Sequence, residues 1–190
     1  MFHPKVLFQY FFPCNWIVFF FDRKKISTSA ELSFWNYRML TPDQICRYAP
    51  PPNHLEGRII LISGAGDGIG REVAFACAEQ GATTILLGRS VGNLESTYDA
   101  ILERTAHTPV ICPIDLETAG PEDYAQLNLL VNSQFGRLDG LVNNAGILGS
   151  RTPMNHYRPQ TWDSVLKINV TAQYLLTQAL VPTLEVSASG

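Results

Sequence analysis

Ser63-Gly64-Ala65-Gly66-Asp67-Gly68-Ile69-Gly70 is the stretch on which the fold turns. It follows the apolar run Ile59-Ile60-Leu61-Ile62 and leads into a helix-like segment, residues 71–80. A strand, a glycine-rich turn and a helix in that order suit the diphosphate of a dinucleotide. Glycines let the backbone turn sharply and approach phosphate oxygens, and the free N–H groups of a helix N-terminus meet the anion. Glycines at such spacing alone also describe an ordinary turn, so the reading depends on the surrounding sequence.

Outward from this turn, strands and helices alternate. Strands are expected at residues 58–63, 83–87, 109–112 and 138–142. Helices are expected at 69–80, closed by Gly81, then at Val91–Arg104, at Pro121–Phe135 and over a long stretch, 159–181. Strands separated by helices of this length imply right-handed βαβ units in a parallel sheet. The fold class is α/β: a Rossmann-type doubly wound sheet with its first four strands present, in spatial order 3-2-1-4. The fourth strand is expected to lie at a sheet edge.

Composition is uneven. Residues 1–38 hold 12 of the 20 aromatic residues, and an apolar 16-mer from Val6 to Phe21 is followed by Arg23-Lys24-Lys25. That run is short for a membrane-spanning helix, and its basic residues follow it, whereas a secretory signal has them in front. Translation from Met39 is the favoured explanation; a membrane anchor and some other N-terminal element are the alternatives. Residues 39–54 read as a polar, Pro-rich lead-in carrying Pro50-Pro51-Pro52, and 55–190 as the N-terminal part of a dinucleotide-binding domain. A net charge of −3 gives no reason to expect nucleic acid as a partner. Cys14, Cys46, Cys77 and Cys112 lie far apart with no CxxC pair, which favours reduced thiols and a cytoplasmic protein. The histidines are dispersed, and no metal constellation is visible.

Three further features carry chemistry. Asn143-Asn144-Ala145-Gly146 follows strand four; amide side chains there can bond backbone groups, and Ala-Gly leaves room for a ligand. Gly88-Arg89 ends strand two, where an acid would bond the ribose 2′-hydroxyl of NAD; an Arg suits the 2′-phosphate of NADP, so NADP(H) is favoured over NAD(H). Asp67, inside the glycine turn, tempers that preference with its charge. Asn169 lies mid-helix, where Asn is a poor helix former whose side chain competes for backbone bonds.

With G-x-x-x-G-x-G at Gly64, Gly68 and Gly70, and with N-N-A-G at residues 143–146, the chain resembles the short-chain dehydrogenase/reductase superfamily over about residues 55–185. Residues 64–72, 86–89 and 144–150 look closest to its YciK-type bacterial oxidoreductases. Ser63 stands where the family usually has Thr, which keeps a hydroxyl. The resemblance implies an oxidoreductase that exchanges hydride between NAD(P)(H) and a small carbonyl or alcohol. It implies cofactor binding by Ser63, Gly64, Gly66, Asp67, Gly68, Ile69, Gly70 and Arg89. Asp115, with Leu116, would lie at the adenine, and Asn144, Ala145 and Gly146 would border the ribose. Asn169 would belong to a catalytic Asn-Ser-Tyr-Lys set, helping to hold a water.

One part of that set is absent from these 190 residues. The family's Tyr-x-x-x-Lys pair uses a Tyr hydroxyl as acid or base and a Lys on the same helix face to lower its pKa. The lysines are Lys5, Lys24, Lys25 and Lys167; four positions before the last three stand Phe20, Phe21 and Asp163. The Ser and the Tyr-Lys pair are expected beyond Gly190, with the chain inactive alone and its intact parent a homo-oligomer. The alternative is a non-catalytic nucleotide-binding or dimerising remnant. A membrane partner enters only if residues 1–38 act as an anchor.

Overall fold

A computed structural model of the chain describes residues 8–12, 15–19 and 50–187. Met39 as a start site, most of the lead-in, and Cys14 and Cys46 lie outside the described residues.

The apolar run before the glycine turn forms the central strand. In chain order the strands are β1 (Phe8–Phe12), β2 (Asn15–Phe19), β3 (Ile59–Ser63), β4 (Thr83–Gly88), β5 (Val110–Pro113) and β6 (Gly140–Val142). Their order across the sheet is β1-β2-β6-β3-β4-β5. β3 pairs in parallel with β4 (Leu61 opposite Ile85) and with β6 (Leu61 opposite Leu141), and β4 pairs in parallel with β5. The four parallel strands therefore stand in the expected order. The expected edge position of the fourth strand is corrected, because β2 pairs antiparallel with β6 (Val18 opposite Leu141) and β1 pairs antiparallel with β2. The described sheet thus has six strands, not four.

Both faces of the parallel sheet are covered, which explains why β3 and β4 read as continuous apolar runs, without the alternation of a one-sided strand. Ile59, Leu61, Ile85 and Leu87 face one core, built with Tyr124, Leu127 and Val131 and with Ile168, Leu176 and Leu180. Ile60, Ile62 and Leu86 face the other, against Ala74, Phe75, Ala78, Leu94 and Ile101. The helices that supply these residues are α1 (Gly68–Glu79) and α2 (Val91–Arg104) on one side, and α3 (Pro121–Phe135) and α5 (Ala172–Val186) on the other.

The long C-terminal helix departs from expectation at two points. It is broken into α4 (Pro159–Leu166), a π-turn (Lys167–Thr171) and α5, with the Ala172 N–H donating five residues back to the Lys167 carbonyl. It also continues past Pro182 to Val186. An interior proline removes one helical hydrogen bond and its ring crowds the carbonyl four residues back, but the next turn is held by packing: Thr183 and Leu184 are buried, and the Thr183 carbonyl accepts from the Leu138 N–H. Leu138 thus bonds the helix, Asp139 donates its N–H to the Ile59 carbonyl, and β6 begins at Gly140.

Candidate functional site

The glycine turn is built to bring backbones together. Gly64 has φ +68, the left-handed region that favours glycine. Gly70 is buried, and a Cβ there would run into the Gly64 carbonyl oxygen and the Asn144 amide nitrogen. The turn and the 143–146 segment are thus locked face to face. Asn144 Nδ2 donates to the Ser63 carbonyl (2.9 Å). Ser63 Oγ donates to the Val142 carbonyl (3.2 Å) and accepts from the N–H groups of Asn144 (3.0 Å) and Ala145 (3.1 Å).

Above this junction, at the C-terminal ends of β3, β4 and β6, opens a cleft of about 810 Å³. Such a position, outside the carboxyl ends of parallel strands, is where open α/β sheets take ligands. The cleft brings together Gly64, Gly66, Asp67, Ile69, Arg89, Asp115, Leu116, Asn144, Ala145, Gly146 and Asn169. Ser63, Gly68 and Gly70 do not line it. Ser63 is fully buried and joins two strand ends, so its hydroxyl serves the framework. The Gly68 N–H is taken by the Asp67 carboxylate (2.7 Å), which caps α1 and places a negative charge at the helix N-terminus.

The cleft wall is mixed in charge. Arg89 and Asp115 are exposed, and Ser90 caps α2 beside Arg89 with its hydroxyl accepting from the Asn93 N–H (3.4 Å). Asp115 Oδ1 accepts from the Glu117 N–H (3.0 Å), the bond of an Asx turn. Leu116 is buried and contributes to the core as well as to the wall. At the far end, Asn169 sits in the π-turn and bonds both peptide groups of Ile147: its Oδ1 accepts from the N–H (2.8 Å) and its Nδ2 donates to the carbonyl (2.9 Å).

Asn143, named in the N-N-A-G motif, also lines this cleft; the sequence reading missed Asn93, Ile147 and Gln173, which line it too. Gln173 had a signal, since it stands one helical turn beyond Asn169 and faces the same way. Among the described residues no group of His, Cys, Asp and Glu could hold a metal ion, and no helix is long and apolar enough to cross a membrane.

Parallel strands leading into a glycine turn and an N-N-A-G strand end, with a cleft across both, form a Rossmann-type arrangement. Residues 58–190 match the short chain dehydrogenase family, and the chain belongs to it. Among its relatives is the uncharacterized oxidoreductase YciK of Escherichia coli K12, 44% identical over 143 residues that cover 75% of this chain and 57% of YciK. Levodione reductase of Leifsonia aquatica is 32% identical, over 74% of this chain and 52% of that protein. Of solved structures, yciK from E. coli superposes with a TM-score of 0.70 at 44% identity, covering 73% of this chain and 57% of that one. A short chain dehydrogenase from E. coli CFT073 complexed with NADPH gives a TM-score of 0.70 at 45% identity, over 73% of this chain and 58% of that one. The chain therefore spans a little over half the length of these relatives.

Proposed function

We propose that the cleft binds NADP(H) in preference to NAD(H), and that the whole protein to which residues 55–190 contribute exchanges hydride with a small carbonyl or alcohol substrate. The observation that carries the reading is the position of Arg89. It lies at the end of β4, lines the same cleft as the glycine turn, and stands beside the N-terminus of α2, with no acid between Gly88 and Asn93. A guanidinium and free helix N–H groups suit a 2′-phosphate; the acid that would bond a 2′-hydroxyl is missing. The NADPH complex of a 45%-identical relative supports the same choice.

The residues fit such a ligand. Gly64 and Gly66 let the backbone approach the diphosphate, Asp115 and Leu116 flank the adenine, and Ala145 and Gly146 leave space for the ribose. The bound dinucleotide supplies or takes up hydride at its nicotinamide ring. Asn169 carries no titratable proton, and each of its amide atoms is bonded to Ile147, so its part is to hold the shape of the wall. Proton transfer needs an acid or base, and none of the four lysines has a Tyr four positions before it. We propose that residues 1–190 alone do not turn over. A non-catalytic nucleotide-binding role is the second reading.

The exposed face of the long helix supports association into a homo-oligomer. Trp162, Leu166, Val170 and Tyr174 follow one another at four-residue steps, all exposed. A cytoplasmic location completes the proposal.

The test is a fluorescence titration of NADPH and NADH against the parent chain and Arg89→Ala. A charge-assisted bond is worth about 1.5–3 kcal/mol, so NADPH should weaken roughly 10- to 150-fold while NADH barely changes. Equal weakening of both, or no change, refutes the NADP assignment. NADPH oxidation by residues 1–190 with a panel of ketones and aldehydes, above a heat-killed control, refutes the proposed inactivity.

A further inference from the structure

Three side chains on the long helix reach the segment that continues β6, and they do so in step. Asn169 bonds both peptide groups of Ile147. Gln173 Nε2 donates to the Ala145 carbonyl (2.8 Å). Thr177 Oγ1 accepts from Asn143 Nδ2 (2.9 Å) and donates to the Gln173 carbonyl (2.7 Å). Steps of four along the helix meet steps of two along the facing chain, running in opposite directions. Between Gln173 and Thr177 four helical residues rise about 6.0 Å, close to the about 6.6 Å of two extended residues, and the Asn169 rung is reached across the π-turn.

Gln173 is the middle rung and does more than bridge. Its Nε2 also lies 3.3 Å from the Ile168 carbonyl, inside the π-turn that presents Asn169. One side-chain amide therefore ties the turn and the cleft wall to each other. Gln173 is 8% exposed, in a place where Leu or Met would fill the volume at no desolvation cost. A buried amide whose donors both serve the backbone of the cleft is better explained by placement than by packing.

We propose that Gln173 is a positioning residue for the cleft: acting through the π-turn and Asn169, it fixes residues 145–147 where the nicotinamide-ribose half of the dinucleotide is to bind. This rests on the NADP(H) reading of the cleft. The adenine half lies at the other end, by Arg89 and Asp115, and should not sense the change.

The experiment compares the full chain with Gln173→Met for two ligands, NADPH and adenosine 2′,5′-bisphosphate, by calorimetric titration. It also follows amide hydrogen exchange at Ile147. NADPH should weaken about tenfold, the cost of a lost buried hydrogen bond, while the bisphosphate changes less than about twofold. Exchange at the Ile147 N–H should accelerate while core amides of β3 do not. In an Asn169→Ala background, Gln173→Met should add little further loss, since the two residues act on one element. Equal weakening of both ligands, unchanged NADPH affinity, or unchanged exchange at Ile147 overturns the proposal. If the parent binds neither ligand, it is the NADP(H) reading that fails, and exchange at Ile147 still decides the role of Gln173. Should Gln173→Met not fold, Gln173→Leu fills the volume without donors and is judged by the same three results.

Discussion

Asp139 offers the sharpest test of how this sheet is held. It stands just before β6 with its side chain 4% exposed. Its Oδ2 accepts from the Ile59 N–H (2.9 Å) and from Arg137 Nε (3.1 Å); its Oδ1 accepts from Ser187 Oγ (2.6 Å) and Arg58 Nη1 (3.4 Å). One carboxylate thus gathers the start of β3, the end of α3 and the end of α5. Burial alone would raise its pKa. The hydrogen bonds from Ser187, the Ile59 N–H and Arg137 outweigh that, and the net shift is downward. Removing one partner from a buried charged cluster costs about 3–5 kcal/mol. Arg58 and Arg137 are 37% and 44% exposed and can rehydrate, so Asp139→Ala should sit near the low end, about 3 kcal/mol. Much of that is the Ile59 N–H left without an acceptor. Against a total of about 5–15 kcal/mol the loss is large. In urea unfolding followed by far-UV circular dichroism, with a slope of about 2 kcal/mol/M, the midpoint should fall by about 1.5 M. Asp139→Asn, which keeps one acceptor, should fall by about half as much. The pH dependence has a fixed sign. A carboxylate with a depressed folded pKa stabilises above its unfolded pKa, about 3.9, and loses that contribution as pH falls toward the folded value. Parent and Asn variant should therefore converge in acid below about pH 4. A midpoint shift under about 0.3 M for Asp139→Ala at pH 7 would refute the reasoning.

Burial holds the Cys77 and Cys112 thiols up at about 11, from the ordinary 9.0. Both should resist alkylation at pH 8 until urea is added, and stability should fall as pH rises from 9 toward 11, by up to about 3 kcal/mol per thiol; rapid labelling of either residue in the folded chain, read by peptide mapping, contradicts this. Ser63→Ala should cost about 2–3 kcal/mol in denaturant, because the Asn144 and Ala145 N–H groups lose their acceptor, and Ser63→Thr should restore most of it; equal melting of parent and Ala variant sinks the framework role. Asp67→Asn should tighten NADPH binding several-fold by removing a charge from the N-terminus of α1 while keeping a capping residue; weaker binding in the titration would show that the carboxylate does not oppose the phosphates.

The element order was legible because each parallel strand announces itself locally. Ile59 to Ile62 and Thr83 to Leu87 are short apolar runs between turn residues, and α2 and α3 begin and end where the sequence places them. The pairing of β2 with β6 was not legible. Residue 18 meets residue 141, and nothing in the local pattern of either strand specifies so distant a neighbour. The end of the long helix was misplaced for a related reason. Pro182 is a local stop signal, and the packing of Thr183 and Leu184 overrides it from across the molecule.

The candidate site divides along the same line. Residues that must let a ligand approach are constrained by their own backbone or size, and a glycine at φ +68 or an Ala-Gly pair shows that constraint in the chain itself. Residues that hold the site together are constrained by partners far away. Ser63 looked like a ligand contact because it opens the glycine turn, yet its hydroxyl answers to backbone 79–82 residues distant. Asn169 stood out as an odd residue in a helix, but its partner lies 22 residues back, and the rungs at Gln173 and Thr177 span 28 and 34. Each rung needs only one polar side chain on a helix that is otherwise apolar on that face, so each is as easily read as a tolerated defect. Their common spacing of four is what separates a ladder from three accidents. That spacing becomes meaningful only once the facing segment is known to advance by two.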